Sequence, residues 1–236
     1  MAITTVLFDL DGTLLPMDND YFTQVYFKLL AGKMAQYGYQ PDQLIKAVWQ
    51  GTKAMVLNDG SKTNCEAFWD SFRQIYGDRV DNDFPLFEEF YRKEFQQGQK
   101  HCGFNPKAAQ IVKYLKDRNI EVALATNPIF PSIATESRIS WAGLDKNDFS
   151  IFTTYENSHY CKPNIMYYKE VCDRINVEFS NCVMVGNDVS EDMVVADYGM
   201  KVFLLTDCLL NKKELDISTY PQGNFDDLKA YLDSIL

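Results

Sequence analysis

Near the start of the chain, Val6-Leu7-Phe8 runs into Asp9-Leu10-Asp11-Gly12-Thr13. The apolar triplet reads as the end of a buried strand, stopped by a glycine. Side chains two apart on an extended chain share a face, so Asp9 and Asp11 can converge on one spot. Two carboxylates held that close repel, and a divalent cation between them or a proton on one relieves the repulsion. Gly12 lets the backbone bend sharply with no side chain in the way, as a phosphate or metal would require. An ordinary solvated turn after a strand has the same composition. Alone, the pentapeptide decides little.

Three further polar clusters follow. Thr126-Asn127 stands after the apolar stretch Ile120 to Ala125 and offers a hydroxyl, an amide and backbone N–H groups suited to phosphate oxygens. A helix cap or Asx-turn ahead of Pro128 would use the same residues. Lys162-Pro163 opens a helix from Asn164, where a lysine either reaches a phosphate or is one more surface charge. Asp188 and Asp192 are four apart, which puts them on one face of a helical turn. They are a metal ligand with its supporting carboxylate, or acids favoured at a helix N-terminus. Asn187 beside them adds a ligand or a hydrogen bond.

The elements that must position these residues alternate between strand and helix. After the first strand, Tyr21, Phe22, Val25, Tyr26, Leu29 and Leu30 recur at helical spacing behind an N-cap at Asp18 or Asn19. Pro41-Asp42 opens a second helix, Asn64 caps a third, and Phe87 to Phe95 forms a fourth before Gly98. No strand interrupts this stretch, whose aromatic richness is most simply packing. Helices are expected again at Pro106 to Leu115, Ser132 to Trp141, Asn164 to Ile175, Ser190 to Tyr198 and Phe225 to Ile235. Strands are expected at Ile120 to Ala125, weakly at Phe149 to Thr153, and at Cys182 to Val185 and Val202 to Leu205. Such alternation implies an α/β fold with a mostly parallel sheet covered on both faces. Ligands of such sheets bind beyond the carboxyl ends of the strands, and the polar clusters fall there or in a loop between elements.

Length and charge narrow the classes. A chain of 236 residues accommodates one large α/β domain, or a core and a smaller domain. The net charge of −10 argues against a nucleic-acid backbone or an anionic membrane surface as the main partner. A small anionic substrate remains compatible, because a bound cation and local lysines reverse the field at one site. No apolar run approaches the roughly 20 residues of a membrane span. The N-terminus has no basic region, so no signal peptide is expected, and six scattered cysteines without a C-x-x-C pair fit reduced thiols in the cytoplasm. His101-Cys102 and His159-x-Cys161 match no finger or catalytic zinc spacing. His159, three residues before Lys162, is a candidate pocket residue without a metal.

Taken in order, Asp9-Leu10-Asp11-Gly12-Thr13, Thr126, Lys162, and Asp188 with Asp192 resemble the four motifs of the haloacid dehalogenase-like superfamily of phosphatases and phosphotransferases. The likeness extends over the whole chain, because the helical insert is similar to that family's commonest cap domain, the type seen in phosphoglycolate phosphatase-like members. The resemblance implies a Rossmann-like parallel sheet core at 1–15 and 101–236, with helices on both faces, and an all-helical cap at 16–100. It implies Asp9 as nucleophile and Asp11 as general acid and base. Mg²⁺ would be held by Asp9, the Asp11 backbone carbonyl and Asp188. Gly12, Thr126, Asn127 and Lys162 would bind phosphate, with Asn187 and Asp192 supporting from behind.

Dehalogenases in the family lack an acid where Asp11 stands, so Asp11 argues for C–O–P over C–halogen chemistry. The implied function is a Mg²⁺-dependent phosphatase acting on a small phosphorylated metabolite through an aspartyl-phosphate. A phosphotransferase or mutase, or a low-turnover phosphate- or metal-binding regulatory protein, is the alternative. Expected hinges are Leu14 to Met17 and Gln97 to Gly103, and Asp18, Asn19, Lys53 and Arg73 are the cap candidates for substrate contact. Pro16 stands where phosphoglycolate phosphatase-like relatives often carry Asp or Asn, a departure that bears on substrate choice. The oligomeric state is not legible.

Overall fold

The computed structural model describes residues 2–236. Five parallel strands, β1 (Thr5–Phe8), β2 (Glu121–Leu124), β3 (Cys182–Gly186), β4 (Lys201–Leu205) and β5 (Gln222–Gly223), form one sheet in the order β2-β1-β3-β4-β5. β1 is central. Its residues pair in register with Glu121–Leu124 on one side and Cys182–Val185 on the other. Such a strand is buried on both faces, which is why it reads as an unbroken apolar run rather than an alternation.

Strand period 2 sends Val6 and Phe8 to one face and Leu7 to the other. On the first face they pack with Ile111, Val112, Leu228 and Leu232 of helices α5 (Pro106–Lys116) and α8 (Phe225–Ile235). On the second, Leu7 and Met184 pack with Tyr168 and Val171 of α7 (Ile165–Arg174) and with the 3₁₀ segment Met193–Tyr198. This is the expected Rossmann-like core with helices on both faces.

Between β1 and α5 lie α1 (Asn19–Ala35), α2 (Pro41–Val56), α3 (Asn64–Tyr76) and α4 (Arg79–Arg92), then a 3₁₀ segment, Glu94–His101. Their common core is aromatic: Trp69, Phe72 and Phe87 meet edge to face at 5.3–5.6 Å between ring centroids. Each such pair contributes about 0.5–1.5 kcal/mol beyond its buried area. The segment leans on the loops that follow the sheet. Tyr26 meets Phe130 at 5.4 Å, and Phe22 meets Trp141 of α6 (Ser132–Trp141) at 6.3 Å. The two chain passages joining it to the sheet touch, the Gly103 N–H donating to the Pro16 carbonyl at 2.7 Å.

Several expectations need correction. The helix after Gly60 is capped by Thr63, which forms a reciprocal capping box with Glu66. Asn64 is instead fully buried, and its amide donates to the Pro128 and Tyr160 carbonyls. Phe149 to Thr153 forms no strand. It hydrogen-bonds along β2 but is reduced to a single bridge between Leu124 and Phe152. Ser190 to Tyr198 is not a continuous helix, because the Asp188 carboxylate takes the Ser190 and Glu191 N–H groups into a tight turn before the 3₁₀ segment. The two-residue β5 was not anticipated.

Candidate active site

β1 ends at Phe8, and the ladder continues one residue further as the Asp9 N–H donates to the Val185 carbonyl at 2.9 Å. Asp9 is thereby fixed beside the end of β3. The turn beyond it closes on itself through Gly12 N–H to the Leu15 carbonyl and Leu15 N–H to the Leu10 carbonyl. Gly12 has φ +85°, and a Cβ there would lie 2.3 Å from Asn187 Nδ2, so only glycine fits. Thr13 Oγ1 makes 3.2 and 3.0 Å contacts with Asp9 Oδ2 and Asn187 Oδ1, and Asn187 Nδ2 donates to the Cys208 carbonyl at 2.7 Å. Asn187 therefore braces the Asp9 turn against the loop after β4.

Lys162 sits at the centre of the charge network and is almost fully buried. Its Nζ donates to Asp9 Oδ1 at 2.8 Å and to Asp192 Oδ1 at 2.6 Å. Burial alone would push this lysine down, but the Asp192 and Asp9 carboxylates outweigh it and hold its ammonium well above the ordinary lysine range. Asp192 Oδ2 in turn accepts the Asp188 N–H at 3.0 Å. A Cβ on Gly186 would lie 2.1 Å from that same Oδ2, so the glycine ending β3 is what lets Asp192 approach.

Asp11 faces a different partner. Arg138 of α6 is 1% exposed, yet its Nη1 pairs with Asp11 Oδ2. The guanidinium is also bonded to Thr135 Oγ1 and the Ala134 carbonyl and lies 4.5 Å from the centre of the Phe130 ring. Burial pushes the Asp11 carboxyl upward, Arg138 opposes this, and the Asp9 charge adds to the rise.

Asp9, Asp11, Thr126, Asn127, Asn187, Asp188 and Asp192 line one cavity at the carboxyl end of the sheet, about 730 Å³ with the open solvent at its mouth included. Thr126 is held there from behind, its carbonyl accepting from Thr153 Oγ1 at 2.6 Å and from the Tyr167 hydroxyl at 2.8 Å. Glu191 joins the lining, receives the Asn127 amide at 3.0 Å, and is raised by its burial to about 8. Three oxygens along this lining, Asp11 Oδ1, Asn19 Oδ1 and Asn127 Oδ1, are buried without a hydrogen-bond partner. Buried acceptors are rarely left so, and their shared location marks where a ligand's donors would be received.

Among the other candidates, Asn19 lines the cavity, whereas Asp18 caps α1 by accepting the Tyr21 N–H. Lys53 is exposed, and Arg73 is tied to Asp70 and Asp81 on the surface. His159 pairs with Glu170 at 2.7 Å beside a separate surface pocket, so it does not line this cavity. Arg138, Glu191 and Phe130 were not foreseen. An acid three residues after Asp188 was a usable signal for Glu191. Arg138 had none, since its partner lies 127 positions away.

A parallel α/β sheet with this polar cavity beyond its carboxyl ends has the architecture of an enzyme built around the end of its central strand. The chain belongs to the haloacid dehalogenase-like hydrolases, whose family model matches residues 3–196. It is 27% identical over 197 residues to the bifunctional riboflavin kinase/FMN phosphatase of Arabidopsis thaliana, a match covering 84% of this chain and 47% of that protein. The chain thus spans about half the length of that relative. Its fold is similar to the 2-haloacid dehalogenase of Pseudomonas syringae pv. Tomato DC3000, with TM-score 0.64, 18% identity, and 98% and 99% of the two chains covered. It is also similar to a HAD phosphatase from Thermococcus onnurineus, with TM-score 0.59, 18% identity and 98% of each chain covered.

Proposed function

We propose that this hydrolase is a Mg²⁺-dependent phosphatase that cleaves a small phosphomonoester through an aspartyl-phosphate on Asp9. The observation carrying the proposal is the division of labour between the two carboxylates lining one cavity. Asp9 is bonded to a buried, permanently charged Lys162, and Asp11 to a buried Arg138. Asp9 attacks phosphorus while Lys162 stays within reach of the phosphoryl oxygens, and the P–O bond to the alcohol breaks. Asp11, whose carboxyl is raised by burial, gives its proton to the departing alkoxide. It then takes a proton from the water that attacks the acyl phosphate, which releases inorganic phosphate and frees Asp9. Thr126, Asn127 and the backbone around Gly12 hold the non-bridging oxygens, and Asp192 keeps Lys162 oriented.

The donor set suits a hard cation. Asp9 and Asp188 line the cavity with their carboxylates, and the Asp11 carbonyl would be a further donor. Among the described residues, no three His, Cys, Asp or Glu side chains form a metal cluster on their own. Mg²⁺ keeps several waters and needs only one or two protein carboxylates alongside the substrate phosphate. Bound there, Mg²⁺ would offset the repulsion between the Asp9 anion and an anionic ester. The helical segment 16–100 is read as a cap that excludes water and meets the leaving group. A phosphotransferase would use the same groups with a sugar hydroxyl in place of water.

The test is phosphate release from p-nitrophenyl phosphate and a panel of phosphorylated metabolites, FMN among them. Mg²⁺-dependent turnover abolished by Asp9→Asn is expected. Turnover that survives Asp9→Asn or ignores Mg²⁺ would overturn the proposal.

A further inference from the structure

A second cavity, also about 730 Å³ with the open solvent at its mouth included, opens among α1, α2 and α3 and adjoins the catalytic one: Thr23, Ile129 and Phe130 line both. The two differ sharply in chemistry. The catalytic cavity is bordered by carboxylates and amides. The second is walled by Tyr26, Phe27, Trp49, Phe68 and Trp69, and among the described residues its lining carries no charged side chain.

The polar groups it does contain are already engaged. Thr23 and Thr52 hydroxyls donate to the Asn19 and Val48 carbonyls at 2.7 and 2.9 Å. The Tyr26 and Tyr91 hydroxyls bond each other at 3.1 Å, and the Trp69 indole N–H donates to the Tyr155 hydroxyl at 3.3 Å. What the chamber presents to a guest is therefore ring faces and methyl groups. Phe27 and Trp49 tilt toward each other with centroids 5.3 Å apart, and Trp49 is left 53% exposed. An open apolar chamber with few free polar groups is a ligand-binding feature rather than a water site.

Its position says which part of a ligand it meets. Phe130 lies under the Arg138 guanidinium, and Arg138 holds Asp11. Asp11 is the group assigned to protonate the leaving oxygen, so the alcohol departs on the Phe130 side, where the chamber begins.

We propose that the substrate's leaving group carries a flat, apolar ring system received by this aromatic chamber, so that the enzyme selects aryl-bearing phosphomonoesters over polar sugar phosphates. This rests on the phosphatase reading above. The ester oxygen lies at Asp11 and the ring reaches past Phe130, where aromatic pairing and burial of apolar area favour it.

The experiment compares kcat/KM for 2-(2-naphthyl)ethyl phosphate, ethyl phosphate and glycerol 3-phosphate in Mg²⁺. All three expel a primary alkoxide, so differences report on the chamber and not on leaving-group chemistry. A preference for the naphthyl ester on the order of a hundredfold is expected. Thr52→Trp, which fills the chamber, should reduce the naphthyl-to-ethyl ratio at least about tenfold; a folding defect would lower both rates and leave the ratio. Equal or better turnover of glycerol phosphate, or a ratio unmoved by Thr52→Trp while the ethyl phosphate rate stays near wild type, would overturn the inference while leaving the phosphatase reading intact. Should no ester turn over, that reading fails instead. Calorimetric binding of 2-(2-naphthyl)ethylphosphonate against ethylphosphonate then decides the chamber's role: tighter naphthyl binding, lost in Thr52→Trp, supports it, and equal binding overturns it.

Discussion

Replacing Asp11 by Asn separates what its carboxylate does for catalysis from what it does for the fold. The amide cannot donate a proton to an alkoxide, so turnover of a primary alkyl phosphate should fall by about 10²–10⁴-fold, the usual worth of general acid–base catalysis. Formation of the acyl phosphate from p-nitrophenyl phosphate, whose phenolate leaves without help, should fall far less. That contrast is read in a rapid-mixing burst of p-nitrophenolate against single-turnover release of an alkyl alcohol. Equal slowing of the two would refute the acid role.

The same substitution removes the charge partner of Arg138, whose side chain is 1% exposed. Orphaning one member of a fully buried ion pair costs about 3–5 kcal/mol. Here the loss should be smaller, about 2 kcal/mol. Asp11 is itself 22% exposed, the asparagine oxygen can still accept from Arg138, and the guanidinium keeps Thr135 and the Phe130 ring. Arg138→Met on top of Asp11→Asn removes the stranded charge and should recover about 1 kcal/mol or more, measured by urea unfolding as a double-mutant cycle. Arg138→Met alone should raise the Asp11 pKa further, because the opposing cation is gone. The alkaline limb of kcat/KM for an alkyl phosphate would then move upward. Strictly additive stabilities, or an alkaline limb that moves down, would show that Arg138 is packing material and not the partner of the acid.

Gly12→Ala must place a methyl 2.3 Å from Asn187 Nδ2 at φ +85°; it should cost about 1–3 kcal/mol in urea unfolding and most of the activity, and wild-type stability would refute the strain argument. Asn64→Ala strands the buried Pro128 carbonyl and the partly buried Tyr160 carbonyl, and should lower stability by about 1–3 kcal/mol in the same assay. Glu191 is raised in the fold to about 8 from the ordinary 4.5, so the folded chain binds the extra proton and stability falls as pH rises from about 5 to 8. Because Glu191 is only partly buried, that slope amounts to roughly 1–2 kcal/mol, and Glu191→Gln, melted in EDTA across this range, should flatten it. Burial raises Cys65 to about 11 and Cys102 and Cys161 to about 12; at pH 8 under ~1% of each is thiolate. Mass spectrometry after iodoacetamide should therefore find Cys208, on a surface groove, modified before these three.

Much of this was legible in the chain itself. The central strand announced itself because burial on both faces leaves no alternation, and Asp9 and Asp11 stand at its end because period 2 puts them there. Helix starts were readable wherever a local rule governs them, as at Pro41, Pro106 and Asn164. They failed where two polar neighbours compete: Thr63 wins the cap at α3 because Glu66 completes its capping box, freeing Asn64 to bond the loops after β2 and before α7. The segment after Asp188 defeated helical periodicity for a related reason. Its N–H groups are taken by a side chain rather than by carbonyls four residues back.

The contacts that decide chemistry were the least visible, because they join residues far apart along the chain. Thr13 to Asn187 spans 174 positions, Lys162 to Asp9 spans 153, and Arg138 to Asp11 spans 127. A family motif supplied the first two regions as landmarks. Nothing local distinguishes Arg138 from any arginine on an amphipathic helix, since its burial arises only when α6 is laid against the end of β1 and Phe130 closes over it. The aromatic chamber shows the same logic. The aromatic richness of the helical insert reads as packing, and Phe27, Trp49 and Phe68 do pack. Only their failure to fill the space between α1, α2 and α3 exposes ring faces in a cavity that adjoins the one Asp11 lines. The property that selects a leaving group thus lies in what the packing leaves open.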